Sequence, residues 1–203
     1  MKKKGLFIIF TILIIIIILI FVKNNYKNFK IGNNENNKSV KQIEEYILNI
    51  KSYTAKLDVN IKSNKNENKY VLRQEYVADE NKRQIVEKPE NIEGTEILYK
   101  NGNLEINNSK LNLSKMYSSY PYLSDNVLWL SSFLDYYKNG SIKKSIYEEN
   151  EYVVMQIDES LNEYFKIWKL YLEKGTGKPR KMVVQDNNKN DIIYILYTEI
   201  NFK

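Results

Sequence analysis

The chain of 203 residues contains no cysteine and no histidine, and only three prolines and seven glycines. Without cysteine there is no disulfide, no thiolate nucleophile and no acylated cysteine to hold the protein at a membrane. Without histidine there is no Ser-His-Asp triad, no Cys-His dyad and no imidazole or thiolate zinc site. Among hydrolytic designs a carboxylate pair stays open. The formal net charge of +6 hides a further lack. Lys2, Lys3, Lys4, Lys23, Lys27 and Lys30 carry all of it, and from Ile31 onward 25 basic residues face 25 acidic ones. That part of the chain has no basic field of the kind nucleic acid requires, so no nucleic-acid partner is expected.

What is present begins with Leu6–Val22, an unbroken apolar run with Thr11 as its single hydroxyl. As a helix it rises about 25 Å, close to the hydrocarbon thickness of about 30 Å. Lys2, Lys3 and Lys4 precede it and bias the N-terminus to the cytoplasm. The run is longer than a usual signal-peptide core, and no small-residue cleavage pattern follows Val22. Residues 1–22 therefore read as cytoplasmic lysines and an uncleaved transmembrane signal anchor, the alternative being a cleaved signal. The expected location is the cell membrane, single-pass, with the C-terminal domain extracytoplasmic. Residues 23–38, rich in Asn and Lys, read as a linker without apolar periodicity. Residues 39–203 are long enough for one domain with its own core. Seventeen tyrosines and seven phenylalanines supply much of its volume.

Ser39 with Gln42 forms a capping-box signature, and Val40, Ile43, Ile47 and Ile50 follow at helical spacing, so a helix is expected over Val40–Ile50. The period then changes to two. Tyr53, Ala55, Leu57, Val59 and Ile61 alternate with polar residues, as do Tyr70, Leu72, Gln74, Tyr76 and Ala78. A third strand, Arg83–Lys88, stops at Pro89. Thr95–Lys100 and Asn103–Asn107 flank Asn101-Gly102, a hairpin signal because both turn positions tolerate positive φ. Leu111 and Leu113 begin a further short strand. After an irregular stretch, Tyr117–Leu123, Ser124 or Asp125 caps a helix through about Tyr137, with Val127, Leu130, Phe133, Leu134 and Tyr137 along one stripe. Ser141–Tyr147, Tyr152–Ile157, Glu163–Glu173, Arg180–Gln185 and Asp191–Phe202 complete a meander. The order implies an α+β layer fold: one large curved antiparallel sheet with helices on its inner face.

Few residues carry chemistry. Tyr117, Tyr120, Pro121, Tyr122, Trp129 and Phe133 form an aromatic stretch suited either to a partner or lipid contact or to ordinary core. Asp58 and Glu75 alternate with Lys56 and Arg73, which reads as cross-strand ion pairing rather than an acid/base pair. Asp186 and Asp191 lack the glycine and distal glutamate of a calcium loop and read as a turn. Gly175 and Gly177 precede no helix, so they are no phosphate loop. No metal site, cofactor site or catalytic residue is assigned.

Three patterns resemble the LolA-like half-barrel family of lipoprotein carriers and related bacterial exported proteins. They are Ile50-Lys51-Ser52-Tyr53-Thr54-Ala55 at the helix-to-strand junction, Pro89 ahead of Gly94 to Gly102, and Trp168 to Glu173 followed by Gly175-Thr176-Gly177-Lys178-Pro179-Arg180. The resemblance covers Ser39–Lys203 and implies a curved half-barrel sheet with helices on its concave face. Within that superfamily the chain looks most like the clostridial GerS-like germination lipoproteins, although it has no cysteine to acylate. That likeness implies a non-catalytic protein of the spore or cell envelope, reaching the space between the forespore membranes. It would bind and regulate a peptidoglycan (cortex) amidase in sporulation and germination. The alternative it implies is a lipid or lipoprotein carrier using an apolar cavity in the half-barrel.

Overall fold

Ser39 starts the first element through side-chain bonds that close on each other. Its Oγ accepts from the Gln42 N–H at 3.3 Å, while Gln42 Oε1 accepts from the Ser39 N–H at 2.9 Å. Helix α1 then runs Val40–Leu48 and buries Ile43 and Ile47 completely. It ends two residues before the predicted Ile50 because Asn49 turns away. The Asn49 N–H bonds to Tyr46 O, and its side-chain amide donates to Glu45 O at 2.8 Å. In this computed structural model the described residues are 38–63, 65–120, 126–139, 143–158 and 165–203, and Lys38–Lys203 make one unit. The Leu6–Val22 run and all but Lys38 of the expected 23–38 linker lie outside the described residues. Among the described residues no helix is long and apolar enough to cross a membrane.

Six strands follow as consecutive antiparallel neighbours: β1 (Ser52–Lys62), β2 (Glu67–Val77), β3 (Asn81–Lys88), β4 (Glu96–Lys100), β5 (Asn103–Asn108) and β6 (Leu113–Tyr117). Tyr53, Ala55, Leu57 and Val59 are buried in strict alternation along β1. Asn101 and Gly102, with φ of 52° and 75°, turn β4 into β5 as their residue types require. Leu111, expected to begin a strand, lies instead in a 3-10 turn over Ser109–Leu111. The Asn108 side chain accepts the Leu111 N–H and holds that turn, so β6 begins at Leu113.

Helix α2 (Leu130–Asn139) also starts later than Ser124 or Asp125, which lie outside the described residues. Asn126 makes a turn first. Its Oδ1 accepts the Leu128 N–H at 3.0 Å and its carbonyl accepts from Trp129, so the first helical bond is Phe133 N–H to Trp129 O. The second meander is β7 (Lys144–Glu149), β8 (Tyr152–Asp158), β9 (Ile167–Glu173), β10 (Pro179–Gln185) and β11 (Asp191–Phe202). β7 and β9 begin three and four residues after the predicted Ser141 and Glu163, both of which lie outside the described residues.

The two meanders become one sheet because β11 returns beside β1. Residues Tyr53 to Ile61 pair with Phe202 to Ile193, with a bulge between Lys56 and Leu57. Among the described residues the result is an open eleven-stranded antiparallel sheet ordered β6-β5-β4-β3-β2-β1-β11-β10-β9-β8-β7. Among the described residues, helices α1 and α2 cover one face. Ile43, Ile47, Leu130, Phe133 and Leu134 pack with Tyr53, Leu57, Trp168, Leu170, Met182 and Ile195 in a single core. The Phe133 and Trp168 rings meet edge to face at 5.2 Å. On the other face, Lys56 and Arg73 both reach Glu87, at 2.9 and 2.6 Å, and Arg83 pairs with Glu75 and Glu96.

Candidate functional site

Strand register assembles a row that no local stretch of sequence displays. Tyr53 sits opposite Tyr76, Tyr76 opposite Lys82, Lys82 opposite Tyr99, Tyr99 opposite Leu104 and Leu104 opposite Tyr117. Directly opposite residues in neighbouring antiparallel strands point to the same face. Because Tyr53 belongs to the helix-covered core, the whole row lies on that face. Cover is uneven along it: Tyr76 and Lys82 are half-buried, Tyr99 and Leu104 are buried again, and the two ends differ most. Tyr53 is 1% exposed, with its ring 5.2 Å from that of Tyr76, whereas Tyr117 at the edge is 47% exposed. Tyr120 stands beside the outer end. Its N–H donates to Gly102 O at 2.8 Å, and its ring lies 6.4 Å from Tyr99 and 6.3 Å from Tyr117.

A cavity of about 460 Å³ opens beside this row, between the β2–β3 turn, the β4–β5 turn and Asp135 of α2. Tyr76, Lys82 and Tyr99 form its wall; Asp79, Glu80 and Asp135 stand exposed around it. The Lys82 ammonium lies 5.7 Å from the Tyr76 ring centre and 6.0 Å from that of Trp129. Among the described residues no carboxylate comes within 4.0 Å of it and it makes no hydrogen bond. Burial pushes the Lys82 ammonium below its ordinary range, and the nearby charge of Asp135 works against that shift. Burial likewise raises the Tyr76 phenol, reinforced by Asp135 and Asp79. The arrangement can hold a ligand by one unpaired cation, flat aromatic walls and an acidic rim. It offers no nucleophile with an adjacent base.

The six aromatic-stretch residues separate in space. Tyr117 and Tyr120 stand at the open end of the row. Trp129 and Phe133 are fully buried and form core rather than surface, Phe133 on the apolar stripe of α2 and Trp129 just ahead of that helix. Pro121 and Tyr122 lie outside the described residues. Tyr76, Lys82, Tyr99 and Asp135 escaped the sequence reading, since nothing in a polar β3 segment marks one lysine as lying between two tyrosines. Asp58 has no ion pair among the described residues and sits opposite Val71, while Glu75 pairs with Arg83, so the two do not form an acid/base pair. Asp186 spends its oxygens on a turn, accepting from the N–H groups of Asn188 and Asn190 and from the Asn190 amide, which hold its carboxyl below the usual range. Among the described residues no group of three or more acidic side chains could hold a metal ion.

An apolar groove of about 560 Å³ lies elsewhere, lined in part by Tyr70, Val71, Pro89, Tyr194 and Leu196. The space between helices and sheet is filled at Trp129, Phe133 and Trp168.

The model of the family described as sporulation protein YdcC-like matches residues 3–203. Among solved structures, a chain of the complex of the CwlD amidase with the GerS lipoprotein from Clostridioides difficile is 22% identical. It aligns with a TM-score of 0.53 over 80% of this chain and 93% of its own. An uncharacterized conserved protein from Thermus thermophilus is 11% identical, with a TM-score of 0.52 over 82% and 88%. A LolA superfamily protein from Nitrosomonas europaea is 11% identical, with a TM-score of 0.41 over 82% and 94%. No curated protein matches the chain.

Proposed function

The chain belongs to the YdcC-like family of sporulation proteins, and from that premise we propose that it is a non-catalytic binding protein of the sporulating cell envelope. Its partner in this reading is a peptidoglycan (cortex) amidase. The likeness of fold to the CwlD–GerS complex supports that choice of partner. Leu6–Val22 holds the protein to the membrane, with Lys2, Lys3 and Lys4 on the cytoplasmic side and residues 39–203 in the extracytoplasmic space. That space includes the gap between the forespore membranes.

The observation that carries a binding role is the uncovered end of the aromatic row. Tyr117 is 47% exposed on β6, the edge strand of the sheet among the described residues, beside the half-buried Tyr120, and Met116, 61% exposed, stands on the opposite face of the same strand. Aromatic and methionine side chains that keep this much surface in water are favourable anchors for a protein partner. The test is capture from sporulating cells with the full chain and with a variant carrying Tyr117→Ser and Tyr120→Ser. Mass spectrometry is expected to identify a peptidoglycan amidase on the wild-type protein, reduced about tenfold on the double variant, as loss of one or two interface anchors implies. Absence of any amidase from the wild-type capture would overturn the reading.

The apolar groove around Tyr194 and Leu196 favours the second reading, a lipid or lipoprotein carrier. Its signature is lipid in stoichiometric amount in solvent extracts of the purified protein, lost on Leu196→Asp.

A further inference from the structure

We propose that the cavity between the β2–β3 and β4–β5 turns binds a short zwitterionic peptide, of dipeptide size, by both of its charged ends. The peptide carboxylate seats on Lys82 and its ammonium is held by Asp79, Glu80 and Asp135. This site takes a small ligand and stands independently of the amidase reading.

Three features lead to that chemistry. First, Lys82 occupies a position whose neighbours in the row are Tyr76 and Tyr99, so an apolar side chain would fit the wall better. Half-buried, with Asp135 near it but beyond ion-pair distance, the ammonium is incompletely compensated, and a carboxylate delivered by a ligand supplies the missing direct contact. Second, the acidic groups lining the cavity stay exposed and do not reach Lys82 within ion-pair distance. A bare anion would meet three carboxylates on its way in, and a bare cation would meet Lys82 inside. A molecule carrying both charges satisfies both sets, which also fixes its direction of entry. Third, about 460 Å³ is far more than a water needs and suits a ligand of dipeptide size or larger. The tyrosine faces then cover its aliphatic part. A neutral sugar would stack on the same rings but would leave the ammonium without that contact.

Trp129 lies 6.0 Å from the Lys82 ammonium, so tryptophan emission reports on the site. The experiment titrates the full chain in detergent with alanylalanine, N-acetylalanylalanine and alanylalanine amide. Saturable change is expected with the free dipeptide, with affinity at least about tenfold lower for each blocked form, the size of one charge-assisted contact. Lys82→Met is expected to lose at least about tenfold and Asp135→Asn several-fold on the same scale. Thermal unfolding of Lys82→Met at or above the wild-type midpoint confirms that its fold is intact. Equal affinity of wild type and Lys82→Met for the dipeptide, or equal affinity of the blocked and free dipeptides, overturns the proposal. So does the lack of saturation with any of them, or binding of chitobiose equally by wild type and Lys82→Met. Because no protein partner enters the assay, failure to capture an amidase leaves its outcome untouched.

Discussion

Glu87 lets two like charges stand face to face. Lys56 and Arg73 are direct cross-strand partners in β1 and β2, an arrangement that is repulsive by itself. Glu87 of β3 accepts from both, at 2.9 Å from Lys56 Nζ and at 2.9 and 2.6 Å from the Arg73 guanidinium. These bonds, Lys56 first and Arg73 second, hold the Glu87 carboxyl below its usual range. A carboxyl with a depressed folded value contributes stability above its unfolded value, and loses it as pH falls through the folded one. Glu87→Gln is therefore expected to destabilise the protein by roughly 0.5–1 kcal/mol at pH 7, the scale of a partly exposed ion pair. The gap should close as pH falls below about 4, which denaturant unfolding at a series of pH values measures. At this scale the sequence was partly legible. Alternation marked Lys56 and Arg73 as surface charges seeking partners. It could not identify Glu87, because its place across from them depends on how β3 registers against β2. The same holds for Lys82, which reads as one more polar residue until two tyrosines flank it.

Short-range chemistry explains most of the elements. The capping box at Ser39, the Asn101-Gly102 hairpin and the period-two strands were all visible in the sequence, because each rests on neighbours within a few residues. The start of α2 was not, because Asn126 satisfies its own turn before the helix can begin. Two glycine turns show how an element acquires non-local constraints. Gly102 and Gly177 have similar φ, 75° and 73°. A Cβ at Gly102 would meet nothing within 4 Å, whereas one at Gly177 would lie 3.2 Å from Tyr46 Cδ1 and 3.5 Å from Ile43 Cγ2. The β9–β10 turn thus rests on α1. Gly102→Ala is expected to cost about 1 kcal/mol from backbone strain alone. Gly177→Ala should cost about 2 kcal/mol, since α1 must also give way. Urea midpoints at equal m-value test the order; a larger loss at Gly102 would sink the argument.

At the scale of the whole molecule, β1 pairing with β11 decides how the parts behave. It ties the first and last strands together, and residues from both meanders and both helices share one core. Residues 38–203 are therefore expected to unfold in one transition, with tryptophan emission and far-ultraviolet circular dichroism giving coincident curves in urea. Separate transitions for the two meanders would show that the β1–β11 seam is not the coupling element. The sequence by itself determined the apolar Leu6–Val22 run, the absence of cysteine and histidine chemistry, the charge balance beyond Ile31, and the alternation that makes strands. These are properties of composition and of contacts within a few residues. Only the tertiary structure decided that Tyr76, Lys82, Tyr99 and Tyr117 form one row, that Asp135 faces it, and that Trp129 and Phe133 turn inward. Those outcomes depend on strand register and helix placement, which are set by the burial of the whole core rather than by any local pattern.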